Sequence, residues 1–260
     1  MATNDPGRGG LGTVRNAVQL LELLAEGPAY HQLTDLAERS SMSIPTVHRL
    51  LRSLVLADLA VQDPATSRYG LGPELSRLSH HYLARLPLLG ALSPYLSQVR
   101  DQVGATVHVE VLVRGEVVYV DRVDSVASSP FRESHRVLPA LTTAGGRLLA
   151  ARGDEEAWGL ACGRGGGDGR GGGRDRGDAD EATRRAWATA EWLAHRPADL
   201  TLPAEVAVPV LDAAGAAVGA LAAELTGTDP ATPEGEARAA EVAAYLERAA
   251  RAAGRTLGHG

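Results

Sequence analysis

The sequence predicts an α+β fold in two domains, an N-terminal winged helix-turn-helix followed, after a linker helix, by an antiparallel sheet with helices on its faces. Three patterns carry that reading. Residues 13–71 run through three amphipathic helical stripes and then two short strands around a proline turn. Residues 105–113 place valine at every second position from Val107 to Val113 and turn at Arg114-Gly115 into a second strand over 116–123. Residues 205–225 repeat the hairpin about Ala214-Gly215, and a helical stripe follows from about Pro233 to Leu257. Strands and helices segregated in this way give α+β rather than a parallel sheet.

The first helix is expected over Thr13–Glu26, with Val14, Ala17, Val18, Leu21 and Leu24 on one face and Gly27-Pro28 closing it. The second, Gln32–Arg39, repeats the pattern through Leu33, Leu36 and Ala37, and Ser40-Ser41-Met42 links it tightly to the third. That third helix, Ser43–Ala57, places Val47, Leu50, Leu51 and Leu54 at the i, i+3, i+4, i+7 spacing of a core stripe. Ser43 is its N-cap, and Pro45 lies in the first turn, where a missing N–H costs nothing. The opposite face holds Thr46, His48, Arg49, Arg52 and Ser53, short or forked donors of the kind that reach base edges and phosphates. A wing over Leu59–Leu71 turns at Asp63-Pro64.

In this geometry the third helix enters a major groove with its N-terminal half deepest. Thr46, His48 and Arg49 are therefore the candidate base contacts, and Arg52 and Ser53 the candidate phosphate contacts. Arg68 on the wing is placed to reach a phosphate or a narrow minor groove, and Arg15 to hold the backbone from the flank. The alternative for each is a solvated surface side chain.

Gly72-Pro73 opens a linker helix, Glu74–Leu86, with Leu71, Leu75, Leu78 and Tyr82 on one stripe, and Pro87 ends it. Little of its own domain is available to cover that stripe, which then meets either a second copy of the chain or its own subunit. Another helix, Leu88–Val103, carries Leu92, Tyr95, Leu96, Val99 and Val103. Further helices are expected at Thr143–Arg152 and Asp180–His195. The domain plan is thus a disordered start at 1–10, a winged domain at 11–72, a linker helix at 73–87 and a second domain at 88–258. Gly163–Gly177 is low-complexity and reads as a flexible surface loop. It contains a literal GxGxxG at Gly167–Gly172, but no strand leads into it and no apolar helix follows, so a dinucleotide reading fails; its Arg-Gly-Gly steps hint at nucleic acid.

Pro45-Thr-Val-His-Arg-Leu-Leu-Arg-Ser-Leu54, with Val61-Gln-Asp-Pro64 and Arg68-Tyr-Gly-Leu-Gly72, resembles the recognition helix and wing of the IclR-type bacterial transcriptional regulators. Further segments resemble that family's second domain, in order: Thr106-Val-His-Val-Glu110, Val117-Val-Tyr-Val-Asp-Arg122, Leu138-Pro-Ala-Leu-Thr-Thr-Ala-Gly-Gly-Arg-Leu-Leu-Ala150 and Val206-Ala-Val-Pro-Val-Leu-Asp212. The resemblance covers roughly Leu11 to Arg255. It implies a GAF-like effector-binding fold, a linker that helps dimerise the chain, and a small-molecule cup. By motif, the cup residues are Thr142, Thr143, Ala144 and Gly145 at a helix start, with Glu205, Glu224 and Thr226 on the second hairpin. Backbone amides at such a helix start suit an anion or a carbonyl. Glu205 and Glu224, however, stand where members that bind small organic acids tend to carry neutral polar residues. That departure turns the expectation towards a donor-rich, amine-bearing or phenolic ligand, unless both glutamates face solvent at strand edges.

Composition narrows the classes. The formal net charge is −6, and the chain has no lysine, so all 26 strong cations are arginine. Residues 13–72 carry five arginines (15, 39, 49, 52, 68) against six acids (22, 26, 35, 38, 58, 63), a balance of −1 where a basic face is usual for DNA binding. The cations must therefore be segregated in space. A single cysteine, Cys162, excludes an internal disulfide framework and reads as a buried small apolar residue or, less simply, a reactive one. Neither an apolar leader nor a long apolar run is visible, so a cytoplasmic location is expected, with no membrane partner.

There is no GxSxG, HExxH or P-loop, the last of which needs a lysine, so no enzyme is expected. His108, Glu110 and His135 could be assembled into a metal set, but no tight spacing supports it, and no metal or cofactor is assigned. The resulting expectation is a one-component, ligand-responsive regulator of transcription. It would bind pseudo-palindromic double-stranded operator DNA as a homodimer or dimer of dimers, with a small molecule in the second domain modulating affinity. The competing class is a winged-helix protein-interaction adaptor.

Overall fold

The chain divides at Arg85/Leu86 into two units, each with its own core, in a computed structural model that describes residues 6–125, 136–164, 180–199 and 202–257. In the first unit, α1 (Pro6–Ala25), α2 (Leu33–Ser40) and α3 (Ile44–Leu56) precede a two-stranded wing, β1 (Ala60–Gln62) and β2 (Tyr69–Leu71), and then α4 (Glu74–Leu83). Helix α1 starts at Pro6 rather than Thr13, so residues 6–10, expected to be disordered, are helical; residues 1–5 lie outside the described residues. A proline costs little in a first turn, and extending an established helix is far easier than nucleating one.

The stripe of α1 is also rotated from the expected phase. Leu20 and Leu24 are core, while Val14 and Val18 are 66% and 41% exposed. Apolar residues at 17, 18, 20, 21, 23 and 24 fit two helical phases, and packing against α2 and α3 selects the one centred on Leu20 and Leu24. In α3 the expected stripe and the buried one coincide: Val47, Leu50, Leu51 and Leu54. Ser43 Oγ accepts from the Thr46 amide at 3.4 Å, which is the N-cap read from sequence.

Ser41, at φ 56°, ends α2 in the left-handed region and makes the sharp turn into α3. The wing pairs Ala60 with Leu71 through Gln62 with Tyr69, and the Asp63 carboxylate closes its tip by accepting from the Ala65 and Thr66 amides. Helix α4 stops at Leu83, three residues short of expectation, and buries none of its own residues in the chain.

The second unit runs α5 (Pro87–Val103), β3 (Val107–Val113), β4 (Glu116–Val123), β5 (Val137–Pro139), α6 (Ala144–Arg152) and α7 (Glu155–Arg164). It continues as α8 (Glu181–Thr189), β6 (Leu193–His195), β7 (Ala204–Leu211), β8 (Ala217–Leu225) and α9 (Pro233–Leu257). The strands form one antiparallel sheet in the order β5-β4-β3-β8-β7-β6. One face carries Val107, Val109, Val206, Val208 and Leu221, all essentially inaccessible, and packs against α5 and α9. The other carries Ala207, Ala220 and Ala222, whose small side chains let α6 lie close.

The second unit also departs from expectation. The short β5 and α7 were not anticipated, and the helix expected over Asp180–His195 ends at Thr189 so that Leu193–His195 can pair with β7. The guanidinium of Arg152 donates to the carbonyls of Trp187 and Ala190 at 2.8 and 2.6 Å, satisfying the helix end and releasing the chain to the sheet edge. The loop expected at 163–177 falls outside the described residues from 165 onward. Among the described residues, no helix is long and apolar enough to cross a membrane.

The rotated stripe gives a direct check on the N-terminal core. Leu20→Ala should cost about 2–5 kcal/mol of that unit's stability, whereas Val14→Ala should stay within about 0.5 kcal/mol, measured by urea denaturation.

Candidate functional site

Two places gather the chemistry, one in each unit. On α3, the core stripe leaves His48, Arg49, Arg52 and Ser53 exposed along the outer face, with Thr46 half-buried at its start. Thr46 Oγ1 is hydrogen-bonded to Ser43 Oγ at 2.8 Å, and Ser53 Oγ donates to the Arg49 carbonyl at 3.1 Å, so these two hydroxyls are engaged within the helix. His48, Arg49 and Arg52 are the groups that project. Arg68 on the wing and Arg15 on α1 are exposed as well. Of the unit's other arginines, Arg39 is tied to Glu26 at 2.6 Å and Arg77 to Glu74. The segregation that the acidic balance demands is therefore real on α3.

The second place is a buried polar cup between the sheet and the start of α6. Thr143 caps that helix, its Oγ1 accepting from the Gly146 amide at 2.9 Å. The next amide, Ala144 N–H, donates to Glu205 Oε1 from β7. A side chain of this protein thus occupies the anion position that a helix N-terminus offers. Glu205 lies beside Glu224 of β8 in the sheet register and opposite His195 of β6.

From β3, His108 and Glu110 reach the same space: His108 Nε2 is 2.8 Å from Glu110 Oε1 and 3.4 Å from Glu205 Oε2. Tyr119 of β4 stacks on the imidazole with ring centres 4.1 Å apart and donates to Glu205 Oε2 at 3.5 Å. Glu224 faces Arg122, whose Nη2 is 3.2 Å from its Oε1. Gly145 leaves room here for Glu110, because a Cβ on it would collide with Glu110 Oε2, the end of that side chain, unless the carboxylate moved.

The proton balance of the cup follows from these contacts. Burial favours the neutral imidazole, but the hydrogen bonds and charges of Glu110 and Glu205 outweigh it and raise His108 to about 9. Burial, and then the neighbouring Glu205 charge, lifts Glu110 to about 7 against the pull of His108. Burial also works against the Glu205 carboxylate, yet the His108 hydrogen bond and charge, with the Ala144 amide, hold it below the ordinary carboxylate value. Burial and the Glu205 charge keep Tyr119 a neutral phenol. An imidazolium therefore sits between one firm carboxylate and one carboxyl that titrates near neutrality.

Of the residues expected in the cup, Thr142, Thr143, Glu205 and Glu224 line a cavity shared with Tyr119, Arg136 and Leu138. Ala144 and Gly145 are buried at the helix start. Thr226 is exposed and lies one residue beyond β8, so it does not join them: the strand ends at Leu225 and the chain turns outward. Both glutamates are buried rather than at solvent-facing edges. The cavity holds about 10 Å³ for the centre of a water-sized sphere, room for one water, so an organic ligand there requires side chains to move.

A larger open cleft, about 920 Å³, lies on the opposite side of the sheet by Tyr95, Leu211 and the end of α9, away from the buried polar groups. His108, Glu110, Tyr119 and Arg122 were not among the expected cup residues. The signal was present in β3, where His108 and Glu110 alternate with Val107, Val109 and Val111 and mark a second face of different chemistry. His135, the third member of the metal set weighed from sequence, lies outside the described residues, and Glu205 takes its place beside His108 and Glu110.

A profile of the IclR helix-turn-helix domain matches residues 13–64, and one of the bacterial transcriptional regulator IclR C-terminal domain matches residues 80–161. The chain belongs to the IclR family. A curated relative, the HTH-type transcriptional regulator XynR of Escherichia coli (strain K12), is 28% identical over 140 residues, 54% of this chain and 56% of that protein. This IclR-family chain thus spans about half the length of the curated relatives it matches.

Solved structures share the fold over nearly the whole length. An IclR transcriptional regulator from Alicyclobacillus acidocaldarius superposes with a TM-score of 0.69 at 22% identity, covering 95% of this chain and 99% of that one. An IclR homolog from Microbacterium hydrocarbonoxydans, complexed with 4-hydroxybenzoate, superposes at 0.62 with 22% identity, covering 92% and 99%.

The Gly145–Glu110 contact makes the cup testable in this IclR-family chain. Gly145→Ala should lower the stability of the second unit by about 1–3 kcal/mol through overpacking. The double variant Gly145→Ala/Glu110→Ala should recover part of that loss in thermal melts; equal or greater loss would place the strain elsewhere.

Proposed function

We propose that the chain is a ligand-responsive, one-component DNA-binding regulator of transcription. It binds a pseudo-palindromic operator as a dimer or dimer of dimers in the cytoplasm, with a small molecule in the C-terminal cup altering operator affinity. The observation that carries this reading is α3, a capped helix whose one face is core and whose other presents His48, Arg49 and Arg52 to solvent. Base readout is assigned to Thr46, His48 and Arg49, and phosphate contact to Arg52, Ser53, Arg68 and Arg15. For Thr46 and Ser53 this requires exchanging the local hydrogen bonds they make in the free chain.

The dimer reading is supported by α4, which leaves Leu78 and Tyr82 47% and 55% exposed on its stripe. A twofold pair would present two α3 helices to half-sites about one helical turn apart, roughly 34 Å, or a multiple of it. The cup residues Thr142, Thr143, Ala144, Gly145, Glu205 and Glu224 are the proposed effector contacts. The Microbacterium homolog holds a phenolic acid. Here Glu205 already occupies the start of α6, which favours a phenolic or amine-bearing ligand over a plain small carboxylate. For the ligand to act allosterically it must bind the DNA-competent and DNA-incompetent arrangements unequally.

Binding to the chain's own upstream intergenic DNA, followed by fluorescence anisotropy, tests the interface. Arg49→Ala should weaken binding by about 1–3 kcal/mol and relax specificity at one base position, and Arg52→Ala should weaken it across sequences. Unchanged affinity in both variants would remove α3 from the groove. With so few free cations, the slope of log K against log salt should fall well short of the roughly −10 of a heavily basic repressor. Leu78→Glu/Tyr82→Glu should shift the chain towards monomer in sedimentation and reduce operator affinity; an unchanged oligomer would assign that stripe to its own subunit.

A further inference from the structure

We propose that His108, Glu110 and Glu205 form a binding site for a divalent transition-metal ion of the zinc class. The site stands on these three side chains and is independent of whether the cup also takes an organic effector. One ligand atom from each lies within 4.8 Å of the others. Zinc bonds of about 2.0–2.2 Å in tetrahedral geometry put neighbouring ligand atoms roughly 3.2–3.6 Å apart. The separation of His108 Nε2 from Glu205 Oε2 is already 3.4 Å, and that from Glu110 Oε1, 2.8 Å, opens to this range by a small rotation of one carboxylate.

The donor set decides the class. One imidazole with two carboxylates suits zinc and its transition-metal neighbours, whereas calcium and magnesium demand six or more oxygens or retained waters. A bound metal takes the place of the proton on His108, and two carboxylates beside a then neutral imidazole, all at most 4% exposed, match the charge of a divalent ion.

Independent features of the surroundings point the same way. Glu110 Oε2 is wholly buried and has no hydrogen-bond partner among the described residues, and the chain keeps a glycine at 145 to accommodate it. Glu205 is already oriented as a ligand, since its Oε1 is anchored by the Ala144 amide and its Oε2 is left turned towards His108. Tyr119, stacked on the imidazole, restricts the ring plane, and His108 Nδ1 is buried without a hydrogen-bond partner among the described residues. Three protein ligands leave a fourth position for an exchangeable water or ligand donor, the arrangement of an open rather than a structural zinc site.

The full chain, stripped with a chelator and titrated with Co2+ and Zn2+ under reducing conditions, tests the site. One equivalent of Co2+ per chain should produce the visible absorption of a four-coordinate nitrogen–oxygen site, and Zn2+ should displace it. Zn2+ should also raise the Tm. Glu110→Gln and Glu205→Gln, which keep shape and remove a ligand charge, should each weaken Zn2+ binding by at least about tenfold. His80→Ala/His81→Ala, which removes an exposed histidine pair outside the cup, should leave it unchanged.

Absence of a Co2+ spectrum in the wild-type chain overturns the proposal. So does Zn2+ affinity that survives Glu110→Gln, or affinity lost with His80 and His81. If a glutamate variant fails to fold, the wild-type Co2+ spectrum and the other variant still decide.

Discussion

The carboxylate of Glu205 in the first turn of α6 is the interaction on which the C-terminal architecture depends. A helix start presents unsatisfied amides and a partial positive charge, and a sheet strand presents side chains on alternate faces. Placing Glu205 on the α6 face of β7, hydrogen-bonded to Ala144, lets the two meet, and Ala207, Ala220, Ala222 and Gly145 keep the approach close. The cost of burying that carboxylate is offset by the same amide and by His108, which in turn draws Glu110 and Tyr119 into the network. The buried Glu205 charge thereby constrains which residues surround it.

The N-terminal unit solves a different problem. Its acids outnumber its arginines over residues 13–72, so its cationic surface is set by where each arginine points. Arg39 and Arg77 are held by neighbouring glutamates on their own unit, while Arg49 and Arg52 stand on the one helix face that the core does not need. Burial of Val47, Leu50, Leu51 and Leu54 holds that face outward, so packing and the exposed cations occupy opposite sides of the same thirteen-residue helix.

Much of this was legible from residues alone. The α3 stripe, its Ser43 cap, the wing about Asp63 and the turns at Arg114-Gly115 and Gly215 are local, and each matches the structure because propensity, periodicity and turn chemistry agree there. The errors share a cause. The phase of α1 was ambiguous between two apolar stripes, and only α2 and α3 could choose. The segment after Thr189 looked helical, and only a vacant sheet edge beside β7 made Leu193–His195 a strand. Thr226 followed two cup glutamates in motif but lies past the strand end.

By itself the sequence determined the two-domain α+β plan, the helix that carries the exposed arginines, and the family, because these rest on interactions between residues near in the chain. Tertiary structure alone decided that Glu205 would fill the α6 start, that His108, Glu110 and Tyr119 would converge on it, and that the cup would close to the size of one water. Those contacts join strands as far apart as β3 and β7. Their partners are selected by sheet register and by the burial of charge, neither of which leaves a periodic trace in the sequence.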